Sequence, residues 1–154
     1  MAALVWITCA SLLAAHEVLP IIGDMEIVDG QITFSLDGSF ESIVAGINLE
    51  GLKDTEVAPE AEIYDTLRAM DPAEFAAQIR GYWPTMASMI DVIVDGERVT
   101  LELNGIDVPE INNVNLVRQS KLNFVGAVSD AAQAVQIGWP TAVSYTHLTL
   151  PTIL

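Results

Sequence analysis

Residues 24–38 read DMEIVDGQITFSLDG, and the fold follows from how this stretch is read. Asp29-Gly30 is a favoured dipeptide for a two-residue type I′ turn, because both central residues of that turn need a positive φ. Folding the chain about it sets Ile27 opposite Ile32, Met25 opposite Phe34 and Glu26 opposite Thr33. One face of the resulting ribbon is apolar and the other polar, the signature of an antiparallel sheet with one face on a core.

Outward from this hairpin the pattern recurs. Residues 90–103, IDVIVDGERVTLEL, turn at Asp95-Gly96 and set Val92 opposite Val99 and Ile90 opposite Leu101. Two further strands are predicted in KLNFVGAV (121–128) and AVQIGWP (134–140). Leu122, Phe124 and Val128 alternate in the first and Val135, Ile137 and Trp139 in the second, with Ser129-Asp130 in the link.

Between the hairpins the period becomes helical. FESIVAGI (40–47) is long enough for one or two turns. In APEAEIYDTLRAM (58–70), Ile63, Leu67 and Met70 share a face, with Pro59 suited to the first turn. Residues 71–90 open on a start signal: Asp71 as N-cap, Pro72 at the first helical position and Glu74 placed for a capping box. Phe75, Ile79, Tyr82 and Met86 form the expected apolar stripe, and Pro84 is expected to kink or break the helix near Trp83. The order hairpin, helices, hairpin, strands predicts an α+β, mainly β, fold. It is an immunoglobulin-like antiparallel β-sandwich over residues 16–142 with a helical insertion at about 58–90. Its last strands are expected beyond Ala142, which would leave Ala134–Trp139 as an open edge.

The 154 residues carry 21 acids against 6 bases, a formal net charge of −15. All of that charge lies between Glu17 and Asp130. Such a surface repels phosphate backbones and anionic lipid headgroups, and the bases Lys53, Arg68, Arg80, Arg98, Arg118 and Lys121 form no stripe. Nucleic acid is therefore not an expected partner, and these bases are read as neutralising nearby acids. A hydrophobic fraction of 51% suits a core rather than a disordered acidic chain. Cys9 is the single cysteine, so an intrachain disulfide is impossible.

Two segments read as something other than the folded domain. Residues 1–15, MAALVWITCASLLAA, are apolar, too short to span a bilayer and rich in small residues at the end, as in a signal peptide cut after Ala15. Two features depart from that pattern: no base precedes the run, and Leu13 is bulky for its place before the cut. An uncleaved buried element and a lipoprotein modified at Cys9 are the alternatives, though WITC lacks the small residue expected before a lipidated cysteine. At the other end, residues 143–152 read VSYTHLTLPT, the translation of GTC TCT TAT ACA CAT CTG ACG CTG CCG ACG. That string resembles the end of a transposase-type sequencing adaptor. Residues 143–154 are accordingly read as adaptor-derived, with the natural chain continuing past Ala142. A Thr-rich C-terminal strand is the alternative.

Candidate chemistry is sparse. After cleavage, His16 would offer a free α-amine beside its imidazole, a pair that chelates copper or nickel, with Glu17 able to add an oxygen. The plain alternative is an ordinary first residue. Asp54, Glu56, Glu60, Glu62 and Asp65 are acidic enough for calcium but lack the spacing of a calcium loop, and read better as a solvated surface. Tyr82 and Trp83 could line a pocket or fill the space between helix and sheet. No nucleophile elbow, phosphate loop or zinc-protease motif occurs, and carboxylate catalysis would have many acids but no distinguished pair.

AHEVLP (15–20), AGINLEGLKDTEVAPEAEIYDTLRAMDPAEF (45–75), VDGERVTLEL (94–103) and VPEINNVNLVRQSKLNFVGAV (108–128) together resemble the N-terminal ectodomain of HupE/UreJ-like membrane proteins. The resemblance spans residues 16–142 and is one of order and phrasing. It implies a non-enzymatic, exported domain on the periplasmic side of the inner membrane. Its implied partner is a C-terminal transmembrane domain of the same protein, associated with transport of nickel or another metal. The ligand histidines of that membrane portion have no counterpart here. A free secreted binding or adhesion module is the alternative, and a secreted hydrolase working through carboxylates a more distant one.

Overall fold

The computed structural model describes residues 20–49, 52, 55–111, 113–114, 116–139 and 147–149. The proposed signal peptide, its cleavage point and His16 lie outside these residues, as do Lys53 and Asp54.

The first hairpin forms in the expected register. Strands β1 (Ile22–Val28) and β2 (Gln31–Gly38) pair Met25 with Phe34, Glu26 with Thr33 and Ile27 with Ile32. Asp29 and Gly30 have φ of 50° and 73°, the two positive values a type I′ turn requires. Asp95 and Gly96 repeat this at 50° and 90° between β3 (Asp91–Val94) and β4 (Glu97–Arg98). The second register also starts as expected, with Val99 N donating to Val92 O at 2.8 Å. It does not reach Ile90 and Leu101. The chain instead bends away at Val99-Thr100, and β5 (Glu102–Asp107) pairs antiparallel with β6 (Ser120–Ala127). A strand that leaves one sheet for another forms a corner of a sandwich. Gly126 of β6 makes this crossing possible, since a Cβ there would meet Val99 Cγ1 and lie 3.1 Å from Thr100 O.

Two sheets result. The larger has the order β5-β6-β2-β1-β8, antiparallel except where β8 (His147–Thr149) runs parallel to β1. The smaller has the order β4-β3-β7, with β7 (Val135–Gly138) antiparallel to β3 and at the sheet's edge. The fold is thus α+β, mainly β, with a helical insertion.

The insertion contributes to the second layer instead of standing outside it. Helix α3 (Pro72–Met89) buries Phe75, Ile79, Trp83 and Met86. The Trp83 ring lies 5.2 Å from Phe124, which is itself stacked 4.8 Å from Phe34. The inner face of the large sheet (Met25, Ile32, Phe34, Leu36, Leu122 and Phe124) and the buried Val92 and Val94 of the small sheet belong to one core with this stripe. Each such side chain contributes roughly 1.5–3 kcal/mol on burial.

Three helical expectations change. Trp83 is the deeper of the two aromatics of α3, buried against Phe124, while Tyr82 on the same apolar face is half-buried against the core. Pro84 neither breaks nor ends the helix, which runs to Met89. Pro84 and Arg80 are both exposed, so the Arg80 carbonyl that loses its intrahelical donor can turn to water. In α2 (Ala61–Ala69) the buried face is Tyr64, Leu67 and Arg68, whereas Ile63 is 54% exposed and Pro59 lies in the preceding turn. The short helix α1 is Glu41–Ala45, closed by Gly46 at φ 78°. No described helix is long and apolar enough to cross a membrane.

Candidate functional site

Two places concentrate polar groups: a buried node that holds the helices to the sheets, and an open groove at the turn end of the hairpins.

The node centres on Arg118, 4% exposed and just ahead of β6. Its Nε donates to Glu41 Oε1 at 2.7 Å, and Glu41 is fully buried at the start of α1. Ser39 Oγ donates to the other Glu41 oxygen at 2.9 Å. The remaining Arg118 nitrogens donate to Met70 O and Leu67 O, each at 3.0 Å. Those carbonyls end α2, where a cation completes the hydrogen bonds and meets the negative end of the helix dipole. The guanidinium also sits 4.4 Å over the Phe75 ring in the first turn of α3. One side chain thus joins α1, α2, α3 and the approach to β6. Arg68, 2% exposed, works beside it: Nη2 donates to Val114 O at 2.6 Å and to Leu116 O, and Nη1 lies 3.4 Å from the Tyr64 hydroxyl. The two arginines clamp the segment around residues 113–118 onto the helices.

Arg118 neutralises an acid, Glu41, as expected of the scattered bases, but it and Arg68 are buried and structural. The sequence held no signal for this. An isolated arginine looks alike in sequence whether solvated or buried, and Glu41 is 77 residues from its partner.

The groove has a volume of about 690 Å³ and lies where the chain crosses between sheets. Val94, Val99, Val125 and Val128 supply apolar surface, and Asp95, Glu97 and Glu102 line it with one base, Arg98. Both Asp-Gly turns are tied to the link that bounds it. Val128 N donates to Gly30 O at 2.8 Å, and Asp95 N donates to Ala134 O at 2.9 Å. The Asp95 carboxylate accepts from Ala134 N at 2.9 Å and Gln133 N at 3.1 Å. Arg98 pairs with Asp91 at 2.8 Å. Asp95 and Arg98 are therefore engaged in holding the walls, and Glu97 and Glu102 are the groove's other carboxylates. The lining has no imidazole, thiol or amine, so its means of recognition are charge, hydrogen bonding and apolar contact.

Tyr82 and Trp83 do not line this groove; Trp83 fills the helix–sheet space. Glu56, Glu60, Glu62 and Asp65 stay on the helical side, and among the described residues no three His, Cys, Asp or Glu side chains converge as a metal site. Comparison with protein-family models, with curated proteins and with solved structures returned no match.

Proposed function

We propose that this chain is the extracytoplasmic domain of a HupE/UreJ-like membrane protein, a non-enzymatic module accessory to the movement of nickel or another metal. The observation that carries the reading is the resemblance of residues 45–75 and 108–128 to that ectodomain. Its support is that these two stretches meet in space: Leu67, Met70 and Phe75 from the first surround Arg118 from the second. The phrases that carry the resemblance thus build one packed unit rather than two unrelated runs.

The test is to sequence the natural gene across the codon for Ala142. Several apolar spans of roughly 20 residues are expected soon after it. A stop codon or a second soluble domain there would instead favour a free secreted binding or adhesion module.

The metal component has its own test. Protein beginning at His16 is expected to bind copper or nickel through the α-amine and imidazole, and a single Ala placed ahead of His16 should remove most of that binding by removing the free amine. Equal affinity in titrations of the two forms would sink the His16 site.

A further inference from the structure

We propose that the groove where the chain crosses between sheets is a peptide site, which takes an extended, lysine- or arginine-bearing segment of a partner protein as an added strand. A ladder that stops short opens it. β6 stays paired with β2 as far as Gln31↔Ala127, but with β5 only as far as Glu102↔Val125, because the chain before Glu102 belongs to the small sheet. Val128 N donates to Gly30 O on the β2 side. Successive residues of a strand turn their main-chain groups to opposite sides, so the N–H and C=O of Ala127 point the other way, into the place β5 has left. Ala127 is exposed and lines the groove. β4, which also lines it, is the outer strand of the small sheet. Main-chain groups at a ladder's end select an extended backbone.

The side chains select the charge of that segment. Glu97 and Glu102 are exposed in the lining, and the Asp95 carboxylate adds to their field. Arg98, the one base there, is drawn away by Asp91 at 2.8 Å and by the Ser88 carbonyl at 3.4 Å. The net field favours a cation, and a second copy of this chain, with net charge −15, is repelled. A small amine would meet the carboxylates but leave the Ala127 main chain and the half-buried Val99, Val125 and Val128 without partners. An extended peptide meets all three kinds of group, since its backbone pairs with the ladder while alternate side chains reach the valines and the acids.

NMR titration of the labelled 154-residue protein with a capped peptide of alternating valine and lysine tests this. Saturable amide shifts are expected at residues 125–128, centred on Ala127. The same peptide N-methylated at its central residues keeps its charge but loses main-chain donors, and should bind about tenfold more weakly. Glu97→Gln combined with Glu102→Gln should weaken the lysine peptide about fivefold while leaving the rest of the spectrum in place. A peptide with glutamate for lysine should not bind. Equal affinity of the plain and N-methylated peptides would reduce the contact to general charge attraction and overturn strand addition. Shifts centred on another strand, an unweakened double variant, or no binding at millimolar peptide would overturn the site. Shifts at Ala127 that follow protein concentration alone would assign the groove to a second copy and overturn the basic partner. The groove stands independently of the ectodomain reading, and a gene without apolar spans after Ala142 would leave these titrations unchanged.

Discussion

Arg118 and Glu41 show what one pair of residues does for this domain. A buried ion pair is costly to desolvate, and it persists here because each charged atom has a partner: Ser39 on one carboxylate oxygen, Arg118 Nε on the other, and a helix carbonyl on each remaining guanidinium nitrogen. Removing one member strands the other. Glu41→Ala is expected to destabilise by about 3–5 kcal/mol in urea unfolding. A double replacement by apolar residues of similar volume should recover part of that loss; a single and a double variant of equal stability would mean the stranded charge is not what costs. Gly126 makes a second residue-scale case. Gly126→Ala drives a methyl into Val99 and should cost about 1–3 kcal/mol by overpacking, whereas Gly81→Ala, in open space on an exposed helix face, should be stabilising. Denaturation midpoints of the two variants decide between these outcomes.

At the scale of the element, α3 was the most readable helix and also the one that departs most from its reading. Its start obeyed local chemistry: Asp71 Oδ1 accepts from Glu74 N at 2.9 Å, and Pro72 opens the first turn. Asp71→Ala should cost about 1 kcal/mol. Its continuation through Pro84 was decided by packing, since Trp83 and Met86 flank the proline and both face the core. Pro84→Ala restores the missing donor and is expected to stabilise, by up to about 3 kcal/mol, raising Tm in a thermal melt. A lower Tm would show that the proline's shape is itself packed. The hairpins differ from the helix because their turns specify register directly. Two Asp-Gly pairs placed both β-ribbons, and only the exit at Val99-Thr100, where Gly126 admits the bend, escaped a purely alternating pattern.

Across the whole molecule the governing quantity is charge. With 21 acids and 6 bases the folded surface repels itself, and that repulsion is weaker in the expanded unfolded chain. Raising ionic strength from about 0.01 M to 0.15 M shortens the Debye length from roughly 30 Å to 8 Å. Tm should therefore rise with salt over this range, in sodium chloride as in potassium chloride. A flat salt profile would mean that local ion pairs such as Arg98–Asp91 and Lys121–Asp37 already offset the excess. The groove was not legible in the sequence because Gln31, the 94–102 crossing and residues 125–129 line it together only after the strands change sheets.

The sequence by itself determined both hairpins and their inward faces, the start of α3 and the acidic surface. Each of these follows from short-range rules: the turn conformation of Asp-Gly, the period of the strand, the capping of a helix and the summed charge. Only the tertiary structure decided which face of α2 is buried, that Trp83 turns inward past an unbroken proline, that Arg68 and Arg118 are clamps, and where the strands cross. Those outcomes depend on partners tens of residues away, and the free energy of a buried cation or a filled cavity exists only once the distant carbonyl, ring or carboxylate has arrived.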